Sequence, residues 1–213
     1  MKWSEEAWLK AEPIYKSILC LPFVRELSSG TLSRERFLFY IEQDSIYLEN
    51  YSKILAHIAS RLPLSSQMED FLRFASGGIM VEKILHESYL NNQHLSKLPT
   101  PTTLLYNSYE ASMVLEPVEI ETAAILPCFW VYQRVGEEIL KMMQKDNPYS
   151  RWIETYGDES FAASTRRAIE ICDELAEMST PQIRERMTEA FIRCTKMEWM
   201  FWDSAYNLEK WKI

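Results

Sequence analysis

The sequence predicts an all-α fold, a single-domain multi-helix bundle over residues 1–213. Three observations carry that prediction. Apolar residues recur at steps of three and four through long windows, the period of a helix with one buried face. Only 5 glycines occur in 213 residues, few for a chain built from tight turns. No stretch alternates apolar and polar residues as a half-buried strand does.

The elements follow in order. Ser4, with Glu5 and Glu6 behind it, reads as the first helix start, because an oxygen cap and early acids suit the positive N-terminal end. That helix reaches about Cys20, and Pro22 opens a short piece that Ser28-Ser29-Gly30 ends. Ser33 caps a long helix to about Ser60, with Pro63 beyond it. Its inward stripe is Phe37, Ile41, Asp44, Leu48, Tyr51, Leu55 and Ile58, in steps of four and three throughout. Ser65 and Ser66, followed by Glu69, open the next helix, which runs to about Leu90. Asn91 to Pro101 is polar and reads as a loop, and a helix from about Thr102 to Leu115 carries Tyr106 and Tyr109. Pro117 suits the first turn of the following helix. Pro127 lies in that helix's interior, where a missing N–H predicts a bend. Asn147-Pro148 breaks the chain, and Trp152 to Tyr156 forms a short piece ending at Gly157. Another helix spans about Asp158 to Met178. Thr180-Pro181 is a cap followed by a first-turn proline, and the last helix runs to about Lys210. Its stripe reads Ile183, Met187, Ala190, Cys194, Glu198, Phe201, Ala205 and Leu208.

Candidate chemistry centres on Leu126-Pro127-Cys128-Phe129-Trp130-Val131-Tyr132. On a helix Cys128 and Tyr132 project together, and Val131 and Val135 extend the same inward face. Asp44 and Glu198 are the lone charges on two otherwise apolar stripes. Burying a carboxylate is costly, so each is held by a buried partner or kept for a ligand. Tyr40, Tyr47 and Tyr51 crowd the helix around Asp44. A thiol, two inward acids and several tyrosines define a pocket. Carboxylates beside Cys128 oppose thiolate formation, so a nucleophilic thiol there needs a proton acceptor, an acid or the substrate itself. Cys20, Cys172 and Cys194 read as small core residues, and Trp199 to Trp202 as core aromatics. Arg184-Glu185-Arg186 reads as a solvated face.

Other classes fit poorly. A net charge of −8 argues against nucleic-acid binding, which needs a basic footprint. No apolar run approaches the roughly 20 residues of a membrane span. The N-terminus, Met1-Lys2-Trp3-Ser4-Glu5-Glu6, lacks an apolar signal core. The cysteines are scattered without metal or redox spacing, which suits a reducing compartment, and the expected location is cytoplasmic. Glu82 and His86, four apart, could hold a metal or form an exposed pair. Paired Glu-x-x-His motifs of di-iron bundles are absent, since Ile54, Lys83 and Asn91 stand three before His57, His86 and His94.

Four separated motifs carry a family resemblance. They are Gln43-Asp44 with Tyr47-Leu48, the Leu126 to Tyr132 stretch, Trp152-Ile153-Glu154-Thr155-Tyr156-Gly157, and Glu198 with Phe201-Trp202. In order and spacing the chain resembles the TenA family, the thiaminase II or aminopyrimidine aminohydrolase proteins, over nearly its whole length. The segment from Phe23 to Phe37 also fits. The resemblance implies a heme-oxygenase-like fold without the heme, a homotetramer, and no metal or organic cofactor. It implies hydrolysis of 4-amino-5-aminomethyl-2-methylpyrimidine to the hydroxymethyl pyrimidine with loss of ammonia, and cleavage of thiamin at the same carbon. It implies Cys128 as nucleophile, Asp44 on the ring's amino side and Glu198 handling a proton at a ring nitrogen. Tyr47, Tyr106, Tyr132, Tyr156 and Phe201 would line the site. Gln133-Arg134 stands where a Tyr-Glu pair is common, and Ser45-Ile46 replaces a more aromatic pair. A non-catalytic pyrimidine-binding or regulatory protein on the same scaffold is the alternative.

Overall fold

The structure, a computed structural model, describes residues 1–89 and 98–213, with the side chains of 81–88 outside that description. The Glu82 and His86 pair, His94 and most of the loop read from Asn91 lie outside the described residues. Among the described residues all regular structure is helical. In chain order these are α1 (Trp3–Leu19), α2 (Pro22–Ser29), α3 (Arg34–Arg61), α4 (Ser65–Tyr89) and α5 (Pro101–Ser112). A 3₁₀ turn (Met113–Leu115) follows, then α6 (Val118–Met142), α7 (Ser150–Gly157), α8 (Glu159–Glu177) and α9 (Pro181–Tyr206).

Caps and prolines fix most boundaries. The side chains of Ser33, Thr100, Asp158 and Thr180 each accept a backbone N–H from the first turn of α3, α5, α8 and α9. Pro22, Pro101 and Pro181 occupy first turns, where no N–H is needed. Gly30 closes α2 in the left-handed region at φ 73, which a side chain would strain. Every residue of the predicted α3 stripe is buried.

Several expectations need correction. Ser4 is not the cap of α1: Lys2 holds that position, and Ser4 lies inside the first turn. Its N–H and hydroxyl donate to the Asp173 carboxylate of α8 at 2.9 and 2.8 Å, so a tertiary acid satisfies the open helix end. Cys20 is exposed rather than core, because α1 stops one residue earlier and leaves it no buried face. Pro117 is the cap of α6 rather than a first-turn residue. The last helix ends at Tyr206, and Leu208 departs from its stripe with φ 50. Arg184 is not merely solvated, since its guanidinium donates to the Ala176 and Ser179 carbonyls at the end of α8.

The buried side chains of all these helices join in one core cluster. α6 runs through its middle, packing most extensively on α9, then on α7 and α8. α3 packs chiefly on α4, then on α5 and α9. α6 continues through Pro127 as one helix. In the same turn the Tyr51 hydroxyl donates to the Ile125 carbonyl at 2.9 Å, tying α3 to α6 beside Cys128. At Gly136 the approach of α7 is so close that a Cβ would sit 2.6 Å from the Tyr156 carbonyl carbon. Glycine there lets α7 press Tyr156 against α6.

Candidate active site

α3 and α6 flank a cavity of about 510 Å³ that α4, α7 and α8 close on the other sides. Asp44, Cys128, Tyr132 and Tyr156 line it, as the sequence places them, together with Tyr51. Leu48, Leu55, Phe74, Phe129 and Phe161 supply apolar wall. At the mouth Arg167 of α8 donates to Asp70 of α4 at 2.7 Å, and Arg73 pairs with the other oxygen of the same carboxylate. This cross-tie fixes the rim. Such a cavity, largely apolar with a few convergent polar groups, suits a flat heteroaromatic ligand.

Tyr47, Tyr106, Phe201 and Glu198 are packed one layer deeper. They are not part of the cavity lining, because α3, α5 and α9 bury these side chains against one another. Tyr47 stacks on Tyr51 with ring centres 5.5 Å apart and meets Tyr106 at 4.8 Å. The Tyr106 hydroxyl donates to Glu198 Oε1 at 2.8 Å. On the far side Tyr132 accepts from the Trp202 indole at 3.0 Å and from the Tyr40 hydroxyl at 3.3 Å, leaving its own proton to donate. The Tyr132 and Tyr156 rings lie 5.0 Å apart.

Burial governs the electrostatics. It pushes the Glu198 carboxyl up to about 8; the Tyr106 hydrogen bond opposes the rise and the Asp44 charge adds to it. Glu198 therefore carries its proton near neutral pH, as a general acid should. Burial also pushes the Cys128 thiol well above its ordinary value, with Glu198, Glu110 and Asp44 adding to the rise. The Tyr47 hydroxyl, within hydrogen-bonding reach of the thiol, opposes it. Tyr51 is in similar reach of the sulfur. Its resting form is the neutral thiol. Among the described residues no group of three or more His, Cys, Asp or Glu side chains could hold a metal ion.

Two wholly enclosed acids, Glu121 and Glu110, escaped the sequence reading. Glu121 on α6 is wholly enclosed and matched by His57 Nδ1 at 2.8 Å and by Arg61, so it ties α6 to α3. Glu110 on α5 is also fully buried, and its Oε1 accepts the Tyr47 hydroxyl at 3.0 Å. The available signal was spacing: Thr103, Tyr106 and Glu110 fall three and four apart, on one face. That face is polar enough that an acid does not stand out on it.

Comparisons with known proteins agree with this architecture. The profile of the TENA/THI-4/PQQC family matches residues 8–208. The chain is 34% identical over 221 residues to the aminopyrimidine aminohydrolase of Bacillus subtilis, covering 99% of this chain and 92% of that protein. It is 33% identical over 207 residues to the thiamine biosynthesis multifunctional protein ThiED of Corynebacterium efficiens, spanning 95% of this chain but 28% of that longer protein. Among solved structures, a TenA homologue from Pyrococcus furiosus superposes with a TM-score of 0.90 at 20% identity, over 95% of this chain and 99% of the other. By a family profile that spans nearly all of its length, the chain belongs to the TENA/THI-4/PQQC family.

Proposed function

We propose that the chain is an aminopyrimidine aminohydrolase of thiamin salvage, converting 4-amino-5-aminomethyl-2-methylpyrimidine to the 5-hydroxymethyl compound with release of ammonia, and cleaving thiamin at the same carbon. One observation carries the reading. A thiol and Asp44 line an aromatic cavity, with the proton-holding Glu198 carboxyl one layer behind its wall, in a chain 34% identical to a protein bearing that activity's name.

The chemistry follows from the residues. Asp44, on the cavity wall, holds the amino side of the ring by a charge-assisted hydrogen bond. Tyr132, Tyr156 and the deeper Tyr47, Tyr106 and Phe201 shape the aromatic walls and position the acids. Cys128 adds to a ring carbon: a C–S bond forms, the S–H bond breaks, and the ring nitrogen takes the Glu198 proton. The electron pair then expels the exocyclic amine, which leaves as ammonia after gaining a proton. Water adds to the exposed methylene, and loss of the thiol restores the aromatic ring. Splitting the displacement in this way replaces one difficult step with easier ones. No organic cofactor enters this sequence.

We further infer one domain over 1–213, a homotetramer and a cytoplasmic location. Exposed apolar side chains on α4 and α5, including Leu72, Ile79, Met80, Leu104 and Leu105, support an interface. Four free cysteines suit a reducing compartment. No helix among the described residues is long and apolar enough to cross a membrane. The test is ammonia release by the purified chain from the aminomethyl pyrimidine, with thiamin cleavage followed in parallel. Absence of both activities would overturn the reading and leave a binding protein on the same scaffold.

A further inference from the structure

The cavity is larger than the ring assigned to it. Its volume of about 510 Å³ lies within the range of roughly 300–1,000 Å³ that encloses drug-sized ligands, whereas the aminomethyl pyrimidine is one ring with small substituents. Toward the mouth, α4 presents Asp70, Arg73, Phe74, Gly77 and Gly78 to the cavity, a set spaced to share one helix face. α4 runs unbroken through both glycines, although glycine is a poor helix former. Gly78 has a packing reason: a Cβ there would stand 3.2 Å from the Ser52 hydroxyl of α3. Gly77 has none. A Cβ there would meet nothing within 4 Å and its φ is not in the left-handed region, so alanine would fit and would favour the helix. What this glycine leaves is open space on the cavity wall.

We propose that Gly77 determines which leaving group the site admits, by keeping room at the mouth for a second flat ring carried on the 5-methylene of the pyrimidine. The frame around that room is held at a fixed width. Arg167 of α8 donates to Asp70 of α4 at 2.7 Å, and Gln67 of α4 donates to Glu174 of α8 at 2.7 Å. Arg167 also donates to Glu174 at 3.0 Å and to Glu170 at 3.2 Å, so its own helix holds the guanidinium in place. Gly77 follows Asp70 by about 10 Å along α4. Helices tied in this way do not part to admit a new side chain, so one grown at position 77 would take up cavity space. Phe74 of α4 and Phe161 of α8 offer flat apolar surface to a ring in that space. A departing ammonia does not need the room, whereas a departing ring does. Gly77 meets the leaving group and not the reacting atoms, which makes it a specificity residue. The inference rests on the aminohydrolase reading and extends it to the size of the departing group.

The test compares thiamin cleavage with ammonia release from the aminomethyl pyrimidine in the wild type, Gly77→Ala and Gly77→Leu, with thermal melting alongside. Gly77→Ala should melt about 1–4 °C higher, because an unstrained helical glycine is replaced without a clash. A lower melting temperature would show that packing requires the glycine and would overturn the inference. In Gly77→Leu the ratio of kcat/KM for thiamin to kcat/KM for the aminomethyl pyrimidine should fall about tenfold or more, chiefly through KM for thiamin. An unchanged ratio would overturn the inference, and so would equal losses on both substrates, which mark a hinge in α4 rather than a size filter. Should Gly77→Leu fail to fold, the same ratio in Gly77→Ala decides: a fall of about threefold supports the filter and no fall overturns it. A wild type that releases ammonia but leaves thiamin intact would overturn the inference while the aminohydrolase reading stands. A wild type inactive on both substrates would remove that reading and the inference with it.

Discussion

Replacing Glu198 by glutamine should make the folded chain more stable in alkali while leaving it nearly unchanged in acid. The carboxyl is 1% exposed and is pushed from 4.5 to about 8, chiefly by burial. A carboxyl whose folded pKa lies above its unfolded value adds stability that is complete below 4.5. That contribution is lost as pH rises through 8. At about 1.4 kcal/mol per pH unit, the rise from 4.5 to about 8 corresponds to a loss of about 5 kcal/mol between those limits, of which about 3 kcal/mol is gone by pH 7. Glutamine keeps the shape and can still accept the Tyr106 hydroxyl, but it has no proton to lose. The difference in unfolding free energy between variant and wild type should therefore grow steadily from pH 4.5 to 8. At about 2–4 °C per kcal/mol for a chain of this size, the melting temperatures should separate by roughly 10–20 °C over that window. Urea unfolding at half-unit pH steps, without ligand and at one fixed protein concentration, measures the effect directly. A constant difference from pH 5 to 8.5 would mean that Glu198 is not a buried, proton-holding carboxyl, and the general-acid role would fall with it.

Five further outcomes are expected. Cys128→Ser should keep the melting temperature but lose about a hundredfold or more of turnover, since a hydroxyl is far less ionised than a thiol and no histidine among the described residues lines the cavity beside it. Cys20→Ala, Cys172→Ala and Cys194→Ala should retain turnover in the same ammonia assay, whatever they cost in stability. Asp44→Asn should raise KM more than it lowers the melting temperature, and unchanged kcat and KM would remove Asp44 as a ligand contact. Gly136→Ala should destabilise by about 1–3 kcal/mol, because its Cβ would press on the Tyr156 backbone at 2.6 Å; an unchanged melting curve would show a looser α6–α7 approach. Light scattering should give a tetramer, and a mass of one 25.1 kDa chain would refute that assembly.

Periodicity and punctuation made most of the fold legible. The α3 stripe fell on a buried face residue by residue, and Ser33, Asp158 and Thr180 cap as their positions suggest. What failed was tertiary in origin. Ser4 looks like a cap in isolation, but Asp173, 169 positions away, takes over its helix end. Cys20 looks like a core thiol, yet the end of α1 strands it in solvent. The site divides in the same way. Asp44, Cys128 and Glu198 are conspicuous because each breaks or ornaments an apolar stripe. Glu110 sits with Thr103 and Asn107 on a short polar helix, and only packing shows that α5 turns that face inward.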